Sequence, residues 1–104
     1  MELCGEVKAP GALERLRAIL EDRKDVCRGA AARGLGLLGD PQALPWLLVL
    51  LDDTSAHEDF RLDAAEGIWR LGLPEGQARV RSAVPTFTSP EAREELAELL
   101  QEKP

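Results

Sequence analysis

Apolar residues along the chain recur at intervals of three and four positions. Leu13, Leu16 and Leu20 fall on one face of a helix, and Leu44, Leu47 and Leu51 repeat that spacing. Six segments carry such a pattern: residues 11–22, 27–39, 41–53, 60–72, 74–84 and 92–101. No segment alternates polar and apolar positions with the period of a strand, and no hairpin turn is signalled. The boundaries support helices. Asp40 before Pro41 and Ser89 before Pro90 place a capping side chain ahead of a proline in the first helical turn. Gly39 and Gly72 stand where a left-handed C-terminal cap is wanted.

The segments repeat. "CRGAAARGLGLLG" (27–39) lies over "FRLDAAEGIWRLG" (60–72) without a gap at an offset of 33 residues. Arg28 then meets Arg61, Ala31 and Ala32 meet Ala64 and Ala65, Gly34 meets Gly67, and Leu38 with Gly39 meets Leu71 with Gly72. A weaker third copy, 92–101, sets Arg93 after Arg61 and replaces Ala64, Gly67 and Ile68 by Leu96, Leu99 and Leu100. Each copy follows a first helix, and acidic pairs, Glu21–Asp22 and Asp52–Asp53, close the first two of these. The expected architecture is all-α: one domain over residues 1–104, built as a short solenoid of three antiparallel helix pairs at about 10–39, 40–72 and 73–103.

Val26 with Arg28, Ala31 with Ala32, Leu35 with Gly36, the turn Gly39-Asp40-Pro41, and then Leu44, Leu47, Leu48 and Leu51 form a signature. It resembles the HEAT-like repeats named after phycobilisome lyases, from about residue 11 to residue 100. The resemblance implies a right-handed α-solenoid whose second helices line the concave surface. It also implies contacts between the repeated arginines, Arg28, Arg61 and Arg93, and preceding acids such as Asp22, Asp52 or Asp53. Three features depart from the pattern: the longer linker "TSAHEDF", Pro85 inside the last pair, and a third repeat without the glycine and aspartate turn. They suit a terminal repeat that must close the stack with a polar face.

A helical wheel of the inner helices puts Cys27, Ala31, Leu35 and Leu38, with Phe60, Ala64, Ile68 and Leu71, on the core face. Opposite them fall three rows: Gly29, Leu62 and Glu94; Arg33, Glu66 and Glu98; Gly36, Trp69 and Gln101. Gly29, Arg33, Gly36, Leu62, Glu66, Trp69, Glu94 and Glu98 are therefore the candidate patch for a protein or peptide partner, with Trp69 as its anchor over a glycine floor. Trp69 has a second reading, in which it leans over Gly36 and merely fills the gap. Trp46, on a helix apolar nearly all round, reads as core. Glu91, Glu94, Glu95, Glu98 and Glu102 line one side of the last helix and read as a solvated face.

Charge removes several alternatives. The 104 residues carry 19 acids against 13 bases, a net charge of −6, which disfavours nucleic acid as partner. Acidity concentrates late: residues 1–52 hold eight acids and seven bases, residues 53–104 eleven and six. HEAT-like alkylpurine DNA glycosylases need a basic concave face, whereas Arg33 here stands among Glu66, Glu94 and Glu98. The apolar run "LPWLLVLL" is too short to span a membrane, and no targeting segment is evident, so the chain reads as cytoplasmic. Cys4 and Cys27 are too few for a disulfide scaffold and read as small hydrophobes, and with one histidine they make no zinc site. Deoxyhypusine hydroxylases, similar repeat proteins, hold two irons with several His–Glu pairs. This chain has one such pair, His57–Glu58, and it sits in a linker. No metal or cofactor is implied. The expectation is a non-enzymatic adaptor that binds a polypeptide; the alternative implied by the resemblance is a subunit similar to bilin lyases or their chaperone-like partners.

Overall fold

The computed structural model describes residues 11–22, 24 and 26–101. Six α-helices follow one another among them: α1 Ala12–Glu21, α2 Arg28–Leu38, α3 Leu44–Asp52, α4 Glu58–Leu71, α5 Pro74–Ala83 and α6 Pro90–Gln101. Short 3-10 turns, Pro41–Ala43 and Val84–Thr86, precede α3 and follow α5, and the described residues contain no strand. The fold is the all-α solenoid that the periodicity predicts. Cys4, Glu102 and the outer ends of the expected domain lie outside the described residues.

Local chemistry sets the boundaries. Gly39 and Gly72 take φ of 73° and 72°, a region that penalises any side chain, and donate their N–H groups to Gly36 O and Trp69 O. The Asp40 carboxylate accepts the Gln42 N–H at 2.9 Å, with Pro41 between them in the first turn. Ser89 Oγ accepts the Ala92 N–H at the start of α6. At α4 the cap is His57, whose Nδ1 accepts the Asp59 N–H at 3.1 Å, so the helix starts two residues before the segment that the repeat pattern marks.

The core joins all three pairs. Leu16 and Leu20 of α1, Leu44, Leu47, Leu50 and Leu51 of α3, Ala64, Ala65 and Ile68 of α4, Val80 of α5, and Leu96 and Leu99 of α6 belong to one buried cluster. Helix α4 is its spine, packing on α2, α3, α5 and α6. Helix α3, expected to be enclosed by its neighbours, keeps one face in solvent: Val49 is 72% exposed, and Trp46 is half-buried beneath the Arg17 guanidinium, 4.5 Å from its ring. The leucines on its other face are enough to dock it, and a nine-residue helix with that stripe needs no second apolar contact.

Helices α2 and α4 pack extensively, backbone against backbone at their glycines. A Cβ added at Gly36 would stand 2.7 Å from Gly67 Cα, and one at Gly67 would stand 2.4 Å from the Ala32 carbonyl oxygen. Backbone touches backbone there, which no larger residue permits. Each mid-helix glycine costs about 1 kcal/mol relative to alanine, a cost offset by this contact. Leu96 and Leu99 of α6 replace the small Ala64 and Gly67, and α6 packs less extensively on α4 than α2 does.

The repeated arginines are structural, and the acceptors their Nε groups use are main-chain carbonyls. Arg28 Nε donates to Leu20 O at 2.9 Å, Arg61 Nε to Leu51 O at 2.8 Å, and Arg93 Nε to Phe87 O at 2.6 Å. In the first two repeats the arginine thus satisfies a carbonyl in the last turn of the preceding helix, a group that lacks an intrahelical acceptor role. The guanidinium also lies over an aromatic ring of the following repeat, Arg28 over Phe60 at 5.9 Å and Arg61 over Phe87 at 4.4 Å. The acids are engaged elsewhere: Asp22 accepts the Lys24 N–H, and Asp52 pairs with Arg79.

Candidate functional site

Helices α2, α4 and α6 lie side by side and carry the residues singled out by the wheel. Leu62 and Glu66 of α4 meet Glu95, Glu98 and Leu99 of α6 around a cleft of about 290 Å³. Two leucines form its apolar part and three carboxylates its rim. Glu98 is exposed, and Glu94 stands in solvent one turn before it on α6. Glu66 pairs with Arg70, one turn ahead on its own helix, at 3.5 Å.

Three of the expected residues lie elsewhere. Trp69 is 3% exposed, so the expected anchor is buried. It belongs to the core cluster, with the Arg81 guanidinium of α5 placed 5.2 Å from its ring centroid. Gly36 is no open floor and does not lie under Trp69, because the Gly67 backbone of α4 fills that space. Gly29 is likewise buried, and a Cβ there would sit 2.0 Å from the Asp63 carboxylate. The helix contact, rather than solvent, occupies that side of α2.

Asp63, Glu95 and Leu99 are site residues that the sequence reading did not pick out. Asp63 occupies the seam between α2 and α4, with Oδ1 3.5 Å from Arg33 Nε and its side chain 28% exposed. Burial pushes its carboxyl up to about 6; Arg33 opposes this, while Glu66, Asp59 and Glu95 reinforce it. Nothing in a single-helix pattern marks Asp63, since it lies at the border between core and solvent. Cys27 is 8% exposed and is not a free thiol, which removes it as a nucleophile.

Glu58, whose only sequence signal was its neighbour His57, ties α4 to α6. Its carboxylate accepts the Thr88 hydroxyl at 2.6 Å, the Thr88 N–H at 2.9 Å and the Ser89 N–H at 2.9 Å. The Thr88 hydroxyl bond, followed by the two backbone N–H bonds, pulls the carboxyl down to about 2 from an ordinary 4.5. The folded form holds fewer protons than the unfolded one between those values. Its stabilisation is therefore complete above pH 4.5 and is lost as the pH falls towards 2. Protection of the Thr88 and Ser89 amides, taken as exchange relative to an unstructured chain at the same pH, is expected to fall across that window and to be low already at pH 7 in Glu58→Gln; equal protection in the variant would refute the tie.

Fold and site together define a short helical-repeat scaffold with an acid-rimmed cleft. The model of the HEAT repeat family matches residues 1–68, and the chain belongs to that family. The match is to HEAT repeats in general and does not separate out the phycobilisome-lyase type. Deoxyhypusine hydroxylase from Arabidopsis thaliana is 30% identical over 88 residues, covering 85% of this chain and 28% of that protein. The chain thus spans little more than a quarter of that relative's length. No solved structure matches the chain.

This relative corrects one expectation. The sequence reading takes the chain as non-enzymatic because it has a single His–Glu pair, placed in a linker, yet the protein it is similar to is an enzyme. The described residues do not fit a metal centre built on such pairs: His57 Nδ1 is taken by the Asp59 N–H, and Glu58 by Thr88 and Ser89. Among the described residues, no group of three or more His, Cys, Asp or Glu side chains is placed to hold a metal ion. No described helix is long and apolar enough to cross a membrane.

Proposed function

We propose that this HEAT-repeat scaffold binds a polypeptide at the cleft between α4 and α6, and that the bound segment is basic with an apolar side chain among its cations. The observation that carries this reading is the cleft itself, where Glu66, Glu95 and Glu98 surround Leu62 and Leu99. An apolar side chain would cover the leucines while flanking lysines or arginines meet the carboxylates, giving orientation and a faster encounter. Of the patch expected from sequence, Leu62, Glu66 and Glu98 line this cleft, whereas Trp69, Gly29 and Gly36 are buried.

A fluorescent lysine-rich peptide with one central leucine tests the reading by anisotropy. Binding is expected to weaken as salt is raised from 50 to 200 mM, and by about fivefold in the Glu66→Gln/Glu98→Gln double variant, the loss fitting two rim charges. An acidic peptide of the same length that binds equally well, or a double variant that binds unchanged, would refute it. Copurified pigment would instead favour the bilin-lyase-like alternative. The identity to a hydroxylase favours a second reading, in which the polypeptide held in the cleft is a substrate rather than a standing partner. Chemical change of a bound polypeptide, followed by its mass, separates the two.

A further inference from the structure

The Asp63 carboxyl lies partly buried in the contact between α2 and α4. It projects from α4 onto the α2 backbone at Gly29, where even a methyl group would meet Oδ2 at 2.0 Å. Among the described residues it has a single cation, Arg33, whose side chain is 51% exposed and so screened by water. The other charges facing it share its sign. Helix α4 contributes Asp59 and Glu66, and α6 contributes Glu95. A half-buried carboxylate with one wet counter-ion and three like neighbours is the group that takes a proton first as pH falls.

We propose that Asp63 and Arg33 form a proton-operated seam between the first two repeats: proton uptake by Asp63 between neutral pH and pH 5 tightens α2 against α4 and releases Arg33 to solvent. The elevated value of about 6, against an ordinary 3.8, agrees with the geometry. The folded state binds the proton more readily than the unfolded chain. Stability is therefore greatest below pH 3.8 as far as Asp63 is concerned, and is lost as the pH rises through 6. This window overlaps that of Glu58, which acts between 4.5 and 2 in the opposite direction, only between pH 3.8 and 4.5. Acidification also removes one negative charge beside the cleft and frees a cation there, so the acid rim of the α2–α4–α6 face weakens. The seam itself stands on α2–α4 packing and does not depend on the proposed partner.

Thermal unfolding from pH 7.5 to pH 5.0 tests the seam in the full chain. The melting temperature of the parent is expected to rise by roughly 4 °C across this range, whereas Asp63→Asn, neutral throughout, stays flat and starts near the parent's acid value. Carboxyl 13C shifts read the proton directly, with an expected midpoint for Asp63 near 6. Arg33→Gln removes the one opposing charge and is expected to move that midpoint upward by roughly half a pH unit, a shift that a merely structural role of Arg33 would not produce. A midpoint near 3.8 in the parent, or an Asp63→Asn profile with the parent's slope, overturns the proposal.

Discussion

Gly36→Leu is expected to lose a large share of the stability of the fold. A leucine there has no rotamer that escapes, because the obstruction begins at Cβ, 2.7 Å from Gly67 Cα and from Gly67 O. A flexible neighbour could swing away, but here the neighbour is a helix backbone. Relief therefore requires α2 and α4 to separate along the seam that joins the first repeat to the second. Overpacked sites cost 1–3 kcal/mol when side chains can adjust, and this one lies at or above about 3 kcal/mol. Domains of this size hold 5–15 kcal/mol in total and lose roughly 4–8 °C per kcal/mol. The melting temperature should fall by about 12 °C or more, or the cooperative transition should vanish. Ala97→Leu on the exposed side of α6 is the control and should stay within about 0.5 kcal/mol of the parent. If Gly36→Leu melts like the control, α2 and α4 are not in backbone contact.

The helices and their order are legible in the sequence because their causes are local. The spacing of Leu44, Leu47 and Leu51, the Asp40-Pro41 start and the Gly39 and Gly72 stops act within one or two turns. The faces of the inner helices are half legible. A wheel separates Ala31 and Leu35 from Arg33 correctly, but it cannot say which flank of a helix meets the next repeat. A wheel puts equivalent positions on equivalent faces and so sets Gly36 beside Trp69, its counterpart 33 residues on. In a stack each inner helix turns one flank to the repeat before it and the other to the repeat after. Gly36 therefore meets Gly67, the counterpart of Gly34. The arginine ladder shows the same limit. A sequence displays acids as partners for Arg28 and Arg61, but the acceptors used are the main-chain carbonyls of Leu20 and Leu51, which no side-chain pattern reveals. The cleft is legible as Leu62, Glu66 and Glu98, whereas the setting of Asp63 depends on Gly29 across the seam.

Trp69→Ala carries the second large effect, and its meaning differs from the one the sequence suggested. An exposed anchor cut back to alanine would spare the fold and cost affinity. A ring 3% exposed within the shared core leaves a cavity when removed, a change that costs about 3–5 kcal/mol for large aromatic side chains. The loss includes the contact with Arg81, which sits over the ring at 5.2 Å and contributes less than about 1 kcal/mol at a partly wet site. Urea unfolding followed by far-ultraviolet circular dichroism measures this without relying on the indole. The midpoint should drop by about 1.5 to 2.5 M at a slope near 2 kcal/mol/M, and Trp69→Phe should recover part of it because a smaller ring leaves a smaller void. Any fall in peptide affinity in Trp69→Ala should then scale with the unfolded fraction and disappear in Trp69→Phe, while Leu62→Ala lowers affinity with the fold intact. Stability unchanged in Trp69→Ala, with affinity lost, would return the indole to the surface as a contact residue.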